Sequence, residues 1–559
     1  MKNILYDLNL FCKSFFLVII KKSDRKMYDI LIKNGIIIDG TGSSGFISDL
    51  AIKDGRIIKI EQNLNEYANH EIDASGQVVS PGFIDVHSHS DYIIPFYSGV
   101  DSSVFQGITT AIVGNCGKGL APIDDEQRIQ FKSMFQMINP EENLSWSTFS
   151  EYLKEMEKRP CPINTAYLIG MNNVVIAGKG YENRPMHKKE YIKMVEIIEN
   201  AMKSGAFGMS MGLLYPPHSY LSKEEIISLC KHLKPYDGII SAHIRCESET
   251  VIDAVKEFID IVSKSNIRGQ YSHAKVMGKP FWHFASKIIQ LIESARAQGI
   301  QIYYDSYPYI RSGDQIEGYL PPWLFEKGPE QVIVQIQNPL IQKQIKDSII
   351  NGITGWENSI GFNGFENVYI MNPQSDRWKS YKGKSITEIS SLSNIKDEWK
   401  TFFQIVIDEG LGLQVTCEDQ SENNIRKFLI NPFQMVGSDG VGAPLTEMQL
   451  HPRYYGTYPK LFGKYVREEK VLSIENAVRK CTALPAEHFH INERGLLKSG
   501  NWADVVVFDP KIINEEASYY SKNQFPVGIS HVIVNGIPTL LKGARTENYP
   551  GSVLRHKFS

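Results

Sequence analysis

His87 and His89 are the first residues in the chain whose type and spacing could bind a metal. They follow an apolar run at 82–86 that is typical of a β-strand. Side chains two positions apart on a strand leave the same face, so the two imidazoles project together. Such a pair can begin a metal site, but alone it is weak evidence, because histidines often serve only packing and hydrogen bonding.

Four further polar residues come directly after short apolar runs: Cys116, His243, His273 and Asp439. Thiolate and imidazole are ligands that suit Zn²⁺, and an open coordination position makes such a zinc catalytic. A carboxylate at Asp439 could take a proton from an attacking water and deliver it to a leaving nitrogen. The remaining histidines His218, His232 and His488 fit no such pattern and are interpreted as surface or packing residues.

The elements that must position these residues alternate between short apolar strands and longer amphipathic helices. Strands are predicted at 82–86, 109–114, 164–169, 206–210, 238–242, 269–272, 300–305 and 434–438, and helices include 191–202 and 252–263. Eight strands in this alternation predict the α/β class and a (β/α)8 barrel of the TIM type. In such a barrel the carboxyl ends of the strands form one catalytic face, which would bring the six polar residues together.

Two β-rich segments flank the barrel. Turn dipeptides such as Asn34-Gly35 separate short apolar runs in residues 27–80, and strands recur in 481–559. Neither piece could bury a core alone, so one small β domain built from both termini is predicted. The barrel would then span 81–480. Residues 310–425, between strands seven and eight, are too long for one helix and are predicted to form a lid; a fixed packing subdomain is the alternative.

Residues 1–26 are predicted to be an unstructured extension. The apolar run at 8–20 is interrupted by Lys13 and is shorter than the ~20 residues of a transmembrane helix, and no clear cleavage site follows it. No membrane span is therefore expected, and a cytoplasmic location is favoured, with export left open by this segment.

The bulk composition excludes some classes of partner. The 559 residues carry 60 Lys and Arg against 63 Asp and Glu, a net charge of −3, so no basic field is available for nucleic acid. The 7 cysteines are scattered and odd in number, which indicates a reducing compartment rather than a disulfide framework. A homo-oligomer is compatible with the sequence but not indicated by it.

With these residues in view, the chain resembles the N-acyl-D-amino-acid deacylase (D-aminoacylase) family of the amidohydrolase superfamily over roughly residues 28–555. The resemblance rests on Asp85-Val86-His87-Ser88-His89, Gly114-Asn115-Cys116-Gly117, Gly212-Leu213-Leu214-Tyr215-Pro216-Pro217, Ser272-His273-Ala274-Lys275, Asp305-Ser306-Tyr307-Pro308-Tyr309, Gly437-Ser438-Asp439-Gly440 and His451-Pro452-Arg453-Tyr454-Tyr455-Gly456-Thr457.

The resemblance implies zinc-dependent hydrolysis of a small-molecule N-acyl-D-amino acid to a D-amino acid and a carboxylate. It implies that Cys116, His243 and His273 hold a tight zinc, and that His87 and His89 form a weaker second site. It also implies that Asp439 is the catalytic acid and base. Lys275 and Tyr307 would receive the substrate carboxylate, for which an ammonium and a phenol are suited.

Two departures and two alternatives accompany this hypothesis. The predicted fourth strand, at Gly208-Met209-Ser210-Met211-Gly212, lacks the lysine that bridges two metals in many amidohydrolases, and the resemblance implies that Cys116 takes its place. Gly170-Met171-Asn172-Asn173 and Arg311-Ser312-Gly313-Asp314 differ from the family pattern. Arg311 would either favour an acidic substrate or be an exposed lid residue. The alternatives are a cyclic amidase of the dihydroorotase or hydantoinase type, which the missing lysine disfavours, and a non-catalytic scaffold, which would not need the ligand set.

Overall fold

The computed structural model of the protein describes residues 28–97, 99–125, 127–128 and 144–558, so the predicted extension at 1–26 lies outside the described residues. Eight parallel strands pair in sequence and form a nearly closed barrel. They are β6 (Phe83–Asp85), β7 (Ile108–Val113), β8 (Asn164–Gly170), β9 (Gly208–Gly212), β10 (Ile239–His243), β11 (Arg268–Tyr271), β12 (Ile302–Ser306) and β16 (Gln434–Val436). A bridge between Ser88 and Gly440 joins the loops that follow the first and last strands. The predicted (β/α)8 barrel is confirmed.

The barrel strands are buried on both faces. All seven residues of β8 are buried, as are all six of β7, because helices cover the outside of a parallel barrel. This explains why the strands appear in the sequence as continuous apolar runs. The covering helices are Phe149–Lys158, Met171–Lys179, Lys188–Lys203, Lys223–Cys230, Val251–Ser265, Ala285–Ala297, Glu422–Ile430, Arg453–Lys460 and Ile474–Cys481.

A second, mixed sheet is assembled from both ends of the chain. Its strands are β1 (Tyr28–Ile37), β2 (Phe46–Lys53), β3 (Arg56–Glu61), β4 (Ala68–Asp73) and β5 (Val78–Pro81) from one end, and β17 (Val505–Phe508), β18 (Ile529–Val534), β19 (Ile537–Leu541) and β20 (Ala544–Arg545) from the other. The two parts meet where β17 pairs antiparallel with β5. The predicted small β domain from both termini is confirmed.

Two pieces of the predicted C-terminal part contact the barrel instead of this sheet. The helix Ala483–Phe489 packs against β6, and β21 (Val553–Leu554) pairs in parallel with β8. The domain boundary at 481 therefore stays a prediction.

The segment between β12 and β16 has a core of its own. It contains β13 (Arg311–Gln315), β14 (Val368–Ile370) and β15 (Gln414–Glu418), which form a three-stranded antiparallel sheet. Its helices include Pro339–Asn351, Ile386–Leu392 and Glu398–Glu409, and they bury side chains such as Trp378 and Phe402. We call residues 310–425 the insertion. Its predicted motion as a lid stays a prediction.

Within the described residues, no helix is both long enough and apolar enough to cross a membrane.

Candidate metal centre and active site

The carboxyl ends of the barrel strands bring together all six polar residues predicted from the sequence. His87 and His89 follow β6, and Cys116 follows β7. His243 ends β10, His273 follows β11, and Asp439 follows β16. Parallel strands of a barrel all end on one face, which is why residues 350 positions apart in the chain meet here.

Cys116 lies between two groups of candidate metal ligands. Its Sγ is 3.3 Å from His87 Nε2 and 3.4 Å from His273 Nε2. The ligand atoms of Cys116, His243 and His273 lie within 4.8 Å of one another, and so do those of His87, His89 and Cys116. One thiolate shared by two imidazole pairs is a donor set that matches the nitrogen and sulfur preference of zinc.

Three of these residues adopt left-handed backbone conformations. The φ angles of Cys116, His273 and Asp439 are +53°, +37° and +49°. Side chains at these angles are strained, and such residues persist where the surroundings hold them. The Asp439 amide donates to the His87 carbonyl oxygen at 2.7 Å, and the His273 amide donates to the Asp305 carboxylate at 2.9 Å. These hydrogen bonds hold two of the three strained residues in place.

The electrostatics and the unpaired atoms of the site also fit a metal. Burial raises the pKa of the Cys116 thiol, but His87 and His273 lower it well below its usual range, so the thiolate is favoured. The His89 Nδ1 and His243 Nε2 atoms are buried without a hydrogen-bond partner among the described residues. A buried imidazole nitrogen without a partner is costly unless a ligand takes it.

Arg453 is a functional residue that the sequence alone did not reveal. Its Nη1 is 2.8 Å from Asp439 Oδ2, and the other oxygen of Asp439 is 3.1 Å from His89 Nε2. Burial raises the pKa of Asp439, but Arg453 and His89 lower it well below its usual range. The His451-Pro452-Arg453 motif was visible in the sequence, but nothing there indicated that this arginine pairs with Asp439.

Glu247 is a second residue that the sequence analysis missed. Its carboxylate is fully buried and lies 2.6 Å from Lys275 Nζ, 3.2 Å from His273 Nδ1 and 3.6 Å from His243 Nε2. Burial raises its pKa, but Lys275, His243 and His273 lower it to about 2. The only sequence signal is its position four residues after His243. Glu247 therefore links two candidate ligands to the predicted substrate-binding lysine.

Lys275 and Tyr307 lie beside this group, as the sequence predicted. The Lys275 ammonium is 5.8 Å from the centre of the Tyr307 ring, and the Tyr307 hydroxyl accepts a hydrogen bond from Gln420 Nε2 at 3.1 Å. Both side chains are buried. Gln420 comes from the end of the insertion, so the insertion completes this side of the site.

The insertion also supplies two buried carboxyl groups. The Glu247 amide donates to Glu357 Oε2 at 2.7 Å, and Ser312 Oγ donates to Asp419 at 2.5 Å. Burial, reinforced by Glu247, raises the pKa of Glu357 to about 8, and burial raises that of Asp419 to about 7. Ligand atoms of His243, Glu247 and Glu357 also lie close together, but the Lys275 ammonium already provides the cation beside Glu247.

Of the two expectations for Arg311, its surroundings contradict the exposed lid residue, and a preference for an acidic substrate stays a prediction. Only 2% of Arg311 is exposed. Its guanidinium pairs with Glu418 at 3.0 Å and stacks on Tyr369 at 3.9 Å from the ring centre. The exposed-residue alternative is wrong, because β13 and β15 pair Arg311 directly with Glu418 in their shared register.

The departure at 170–173 has a structural function. The Asn172 amide donates to the Gly117 carbonyl oxygen at 2.9 Å, and the Asn173 side chain exchanges hydrogen bonds with the backbone of Gly119 at 3.0 and 2.9 Å. These residues therefore fix the loop that presents Cys116. His218 packs under the same loop: its Nδ1 lies 3.0 Å from the Gly212 amide, and burial lowers its pKa to about 4, as expected for a neutral packing histidine.

Comparison with known proteins places this fold and site in a family. The sequence profile of the amidohydrolase family matches residues 70–224 and 384–539. The chain is 28% identical to a D-aminoacylase of Alcaligenes xylosoxydans xylosoxydans, over 95% of this chain and 99% of that protein. It is equally similar to an N-acyl-D-aspartate deacylase of the same organism, at 28% over 94% and 95% of the two chains.

The fold of this chain is also similar to that of a solved deacylase structure. It is the crystal structure of an N-acyl-D-glutamate deacylase from Bordetella bronchiseptica, complexed with zinc and a phosphonate inhibitor that mimics the tetrahedral intermediate. The two structures superpose with a TM-score of 0.79 at 28% identity, over 95% of this chain and 100% of that one. The chain described here is thus a metal-dependent hydrolase barrel, and it belongs to the amidohydrolase family.

Proposed function

We propose that the protein is a zinc-dependent deacylase that hydrolyses the amide bond of N-acyl-D-amino acids to a D-amino acid and a carboxylate. The observation that carries this proposal is the Cys116 thiolate shared by two imidazole pairs, with Asp439 against one of them. The full-length similarity to relatives named for three N-acyl-D-amino-acid deacylase activities supports it.

Cys116, His243 and His273 would hold the tight zinc, and His87 and His89 with Cys116 the weaker one. The first group is buried throughout, while His89 in the second is partly exposed. Zinc bound there would supply Lewis acidity that polarises the substrate carbonyl and activates a water. Asp305, 3.4 Å from His87 Nδ1, and Glu247, beside His273 Nδ1, orient the rings through their other nitrogens.

Asp439 is proposed to carry the proton. Paired with Arg453 and His89, it is ionised at neutral pH, which is the form that can accept a proton from water. After the tetrahedral stage it would give that proton to the amide nitrogen, so that the leaving group departs as a neutral amine. The two partners hold the carboxylate in place for both transfers.

Lys275 and Tyr307 are proposed to bind the substrate carboxylate. Lys275 Nζ pairs with Glu247 at 2.6 Å and lies 2.9 Å from His273 Nδ1. Its third contact, to the His273 carbonyl oxygen, is long at 3.4 Å, and this is the donor that a substrate carboxylate would take. The Tyr307 hydroxyl accepts from Gln420 and keeps its own hydrogen to donate. Lys275 Nζ lies 2.9 Å from His273 Nδ1, and the Tyr307 ring centre lies 5.8 Å from Lys275 Nζ, so both groups lie beside the candidate zinc ligands.

A cyclic amidase is less well supported. The end of β9, where the bridging lysine of many amidohydrolases would stand, is Ser210-Met211-Gly212, and Cys116 lies between the two histidine pairs instead.

Zinc-loaded protein assayed against N-acetyl-D-methionine, its L enantiomer and a 5-substituted hydantoin tests the proposal. We expect turnover of the D substrate and little of the others, with zinc measured in the same preparation. Preferential opening of the hydantoin would establish the cyclic amidase instead, and zinc binding without any turnover would favour the scaffold.

A further inference from the structure

Lys118 is a partly exposed cation close to the candidate metal centre. It follows Cys116 by two residues, and 21% of its side chain is exposed. Its ammonium is 4.0 Å from the centre of the Tyr215 ring, which in turn packs edge-on against His243 at 5.2 Å. Tyr215 therefore connects Lys118 to the candidate ligand His243.

Two acidic side chains of the insertion surround Lys118. Glu317, from the insertion, lies 2.6 Å from its Nζ, and the pair bridges the loop after β7 and the insertion. A second carboxyl group, Asp314, accepts a hydrogen bond from the Tyr215 hydroxyl at 2.6 Å. One cation thus faces two acidic side chains.

The other cations of this face are paired in the same way. Lys275 pairs with Glu247, Arg453 with Asp439, and Arg311 with Glu418. Only Lys275 is proposed to bind a substrate, and its anion is the α-carboxylate. A substrate with a second carboxylate would need a second cation, and each of the other three already has a carboxylate within 3.0 Å.

Apolar side chains complete the surroundings of Lys118. Leu214 precedes Tyr215, and Ile316 and Tyr319 flank Glu317; all three are buried in one cluster with Tyr215. A charged substrate group placed here would lose its hydration without gaining a free partner, which is costly.

We propose that this enzyme selects N-acyl-D-amino acids with neutral, apolar side chains, and that Glu317 is the specificity-determining residue that excludes acidic ones by neutralising Lys118. The inference rests on the proposed function and goes further by separating this chain from its relatives that act on N-acyl-D-aspartate and N-acyl-D-glutamate. The exclusion acts by like-charge repulsion from Glu317 as well as by the lack of a free cation.

The first test is a substrate panel on the zinc-loaded, full-length enzyme. We expect kcat/KM for N-acetyl-D-leucine to exceed that for N-acetyl-D-glutamate and N-acetyl-D-aspartate by at least about 100-fold, as a site with an unmatched buried charge demands. If kcat/KM for the acidic substrates equals or exceeds that for N-acetyl-D-leucine, the specificity inference is wrong and the proposed function stands. Hydrolysis of none of the three would overturn the proposed function and the inference with it.

The second test removes the neutralising charge. Glu317→Gln keeps the side-chain shape and frees the ammonium, so the acidic-to-neutral ratio of kcat/KM should rise by roughly 10- to 100-fold, the size of effect that close charge pairs have on recognition. Adding Lys118→Met should abolish that rise. Asp347→Asn, which breaks the exposed Lys343–Asp347 pair on another helix of the insertion, is the matched control and should leave the ratio unchanged.

A ratio that stays at the wild-type value in folded Glu317→Gln protein would overturn the role of Glu317. Calorimetric titration with the products D-leucine and D-glutamate gives a readout that does not depend on turnover. We expect D-leucine to bind the wild-type enzyme more tightly, and Glu317→Gln to strengthen D-glutamate binding. Tighter binding of D-glutamate to the wild type would contradict the proposal even if the variant failed to fold.

Discussion

Replacing Glu247 by Gln tests how far one buried carboxylate organises the site. The substitution keeps the volume and the backbone hydrogen bond to Glu357, but it removes the negative charge 2.6 Å from Lys275 Nζ. Breaking a buried ion pair by removing one partner usually costs about 3–5 kcal/mol. Glu357, which burial and Glu247 keep largely protonated at neutral pH, can ionise when Glu247 loses its charge. We therefore expect Glu247→Gln to lower the free energy of unfolding by about 3 kcal/mol, the lower end of this range.

Two measurements check this estimate. In metal-free protein the Tm should fall by about 3–6 °C, because a chain of this length loses roughly 1–2 °C for each kcal/mol. Zinc affinity, measured by competition with a chelating indicator, should fall by about 10- to 100-fold, since Glu247 supports the His273 ring through Nδ1. Both effects trace to the same side chain.

Glu257→Gln is the matched control. Glu257, on the helix Val251–Ser265, pairs with Arg245 at 3.0 Å, but it is partly exposed and belongs to none of the groups of candidate ligands. A partly exposed pair contributes little, so this variant should change the Tm by less than about 2 °C and zinc affinity not at all. If Glu247→Gln behaves like Glu257→Gln, the carboxylate does not organise the site and the reasoning fails.

The remaining predictions concern single residues. Cys116→Ala should lose tightly bound zinc and activity together, and a full equivalent of zinc at wild-type affinity by metal analysis would contradict its role as a ligand. Asp439→Asn should keep its zinc and KM while kcat falls by about two to four orders of magnitude, whereas zinc loss would make Asp439 chiefly a ligand. Burial lowers the pKa of Lys480 from 10.5 to about 7. Between pH 7 and pH 10.5 the folded state therefore binds fewer protons than the unfolded state, and the free energy of unfolding rises with pH. The stability difference between Lys480→Met and wild type, measured by urea unfolding, should therefore favour the variant most at pH 7 and shrink toward pH 10; a difference independent of pH would refute this.

The fold could be predicted because a parallel barrel leaves a strong trace in sequence. Strands buried on both faces are continuous apolar runs, and the predicted strand at 238–242 is observed at Ile239–His243. The hairpin turn expected at Asn34-Gly35 was wrong, because β1 continues through these residues to Ile37 with a bulge in its pairing with β2. The path of the C-terminus was not predictable, because the two-residue strand Val553–Leu554 is too short to carry a pattern.

The candidate ligands were predictable for a related reason. Each follows a recognisable strand, and the fold brings strand ends together. The ion pairs of the site could not be predicted in this way, because no sequence pattern marks which charged residues will pair. Arg453 is fourteen positions from Asp439 and Glu317 is nearly two hundred from Lys118, and only the folded chain shows that each pair lies within 3 Å. Arg311 shows the opposite error, since a cation near a strand end looked available until its pairing with Glu418 was seen.

The family model matches only some of the residues that form the candidate site. The matched ranges 70–224 and 384–539 contain His87, His89, Cys116 and Asp439, but not His243, His273 or Lys275. Those last three are brought to Cys116 by β10 and β11, and the unmatched stretch also holds Glu317 and Glu357 from the insertion. Two of the three proposed ligands of the tight zinc therefore lie outside the matched ranges, as do the insertion residues beside the site. If specificity in this fold is set by charge pairing between the barrel loops and the insertion, it can change through single substitutions such as Glu317→Gln without disturbing the metal ligands.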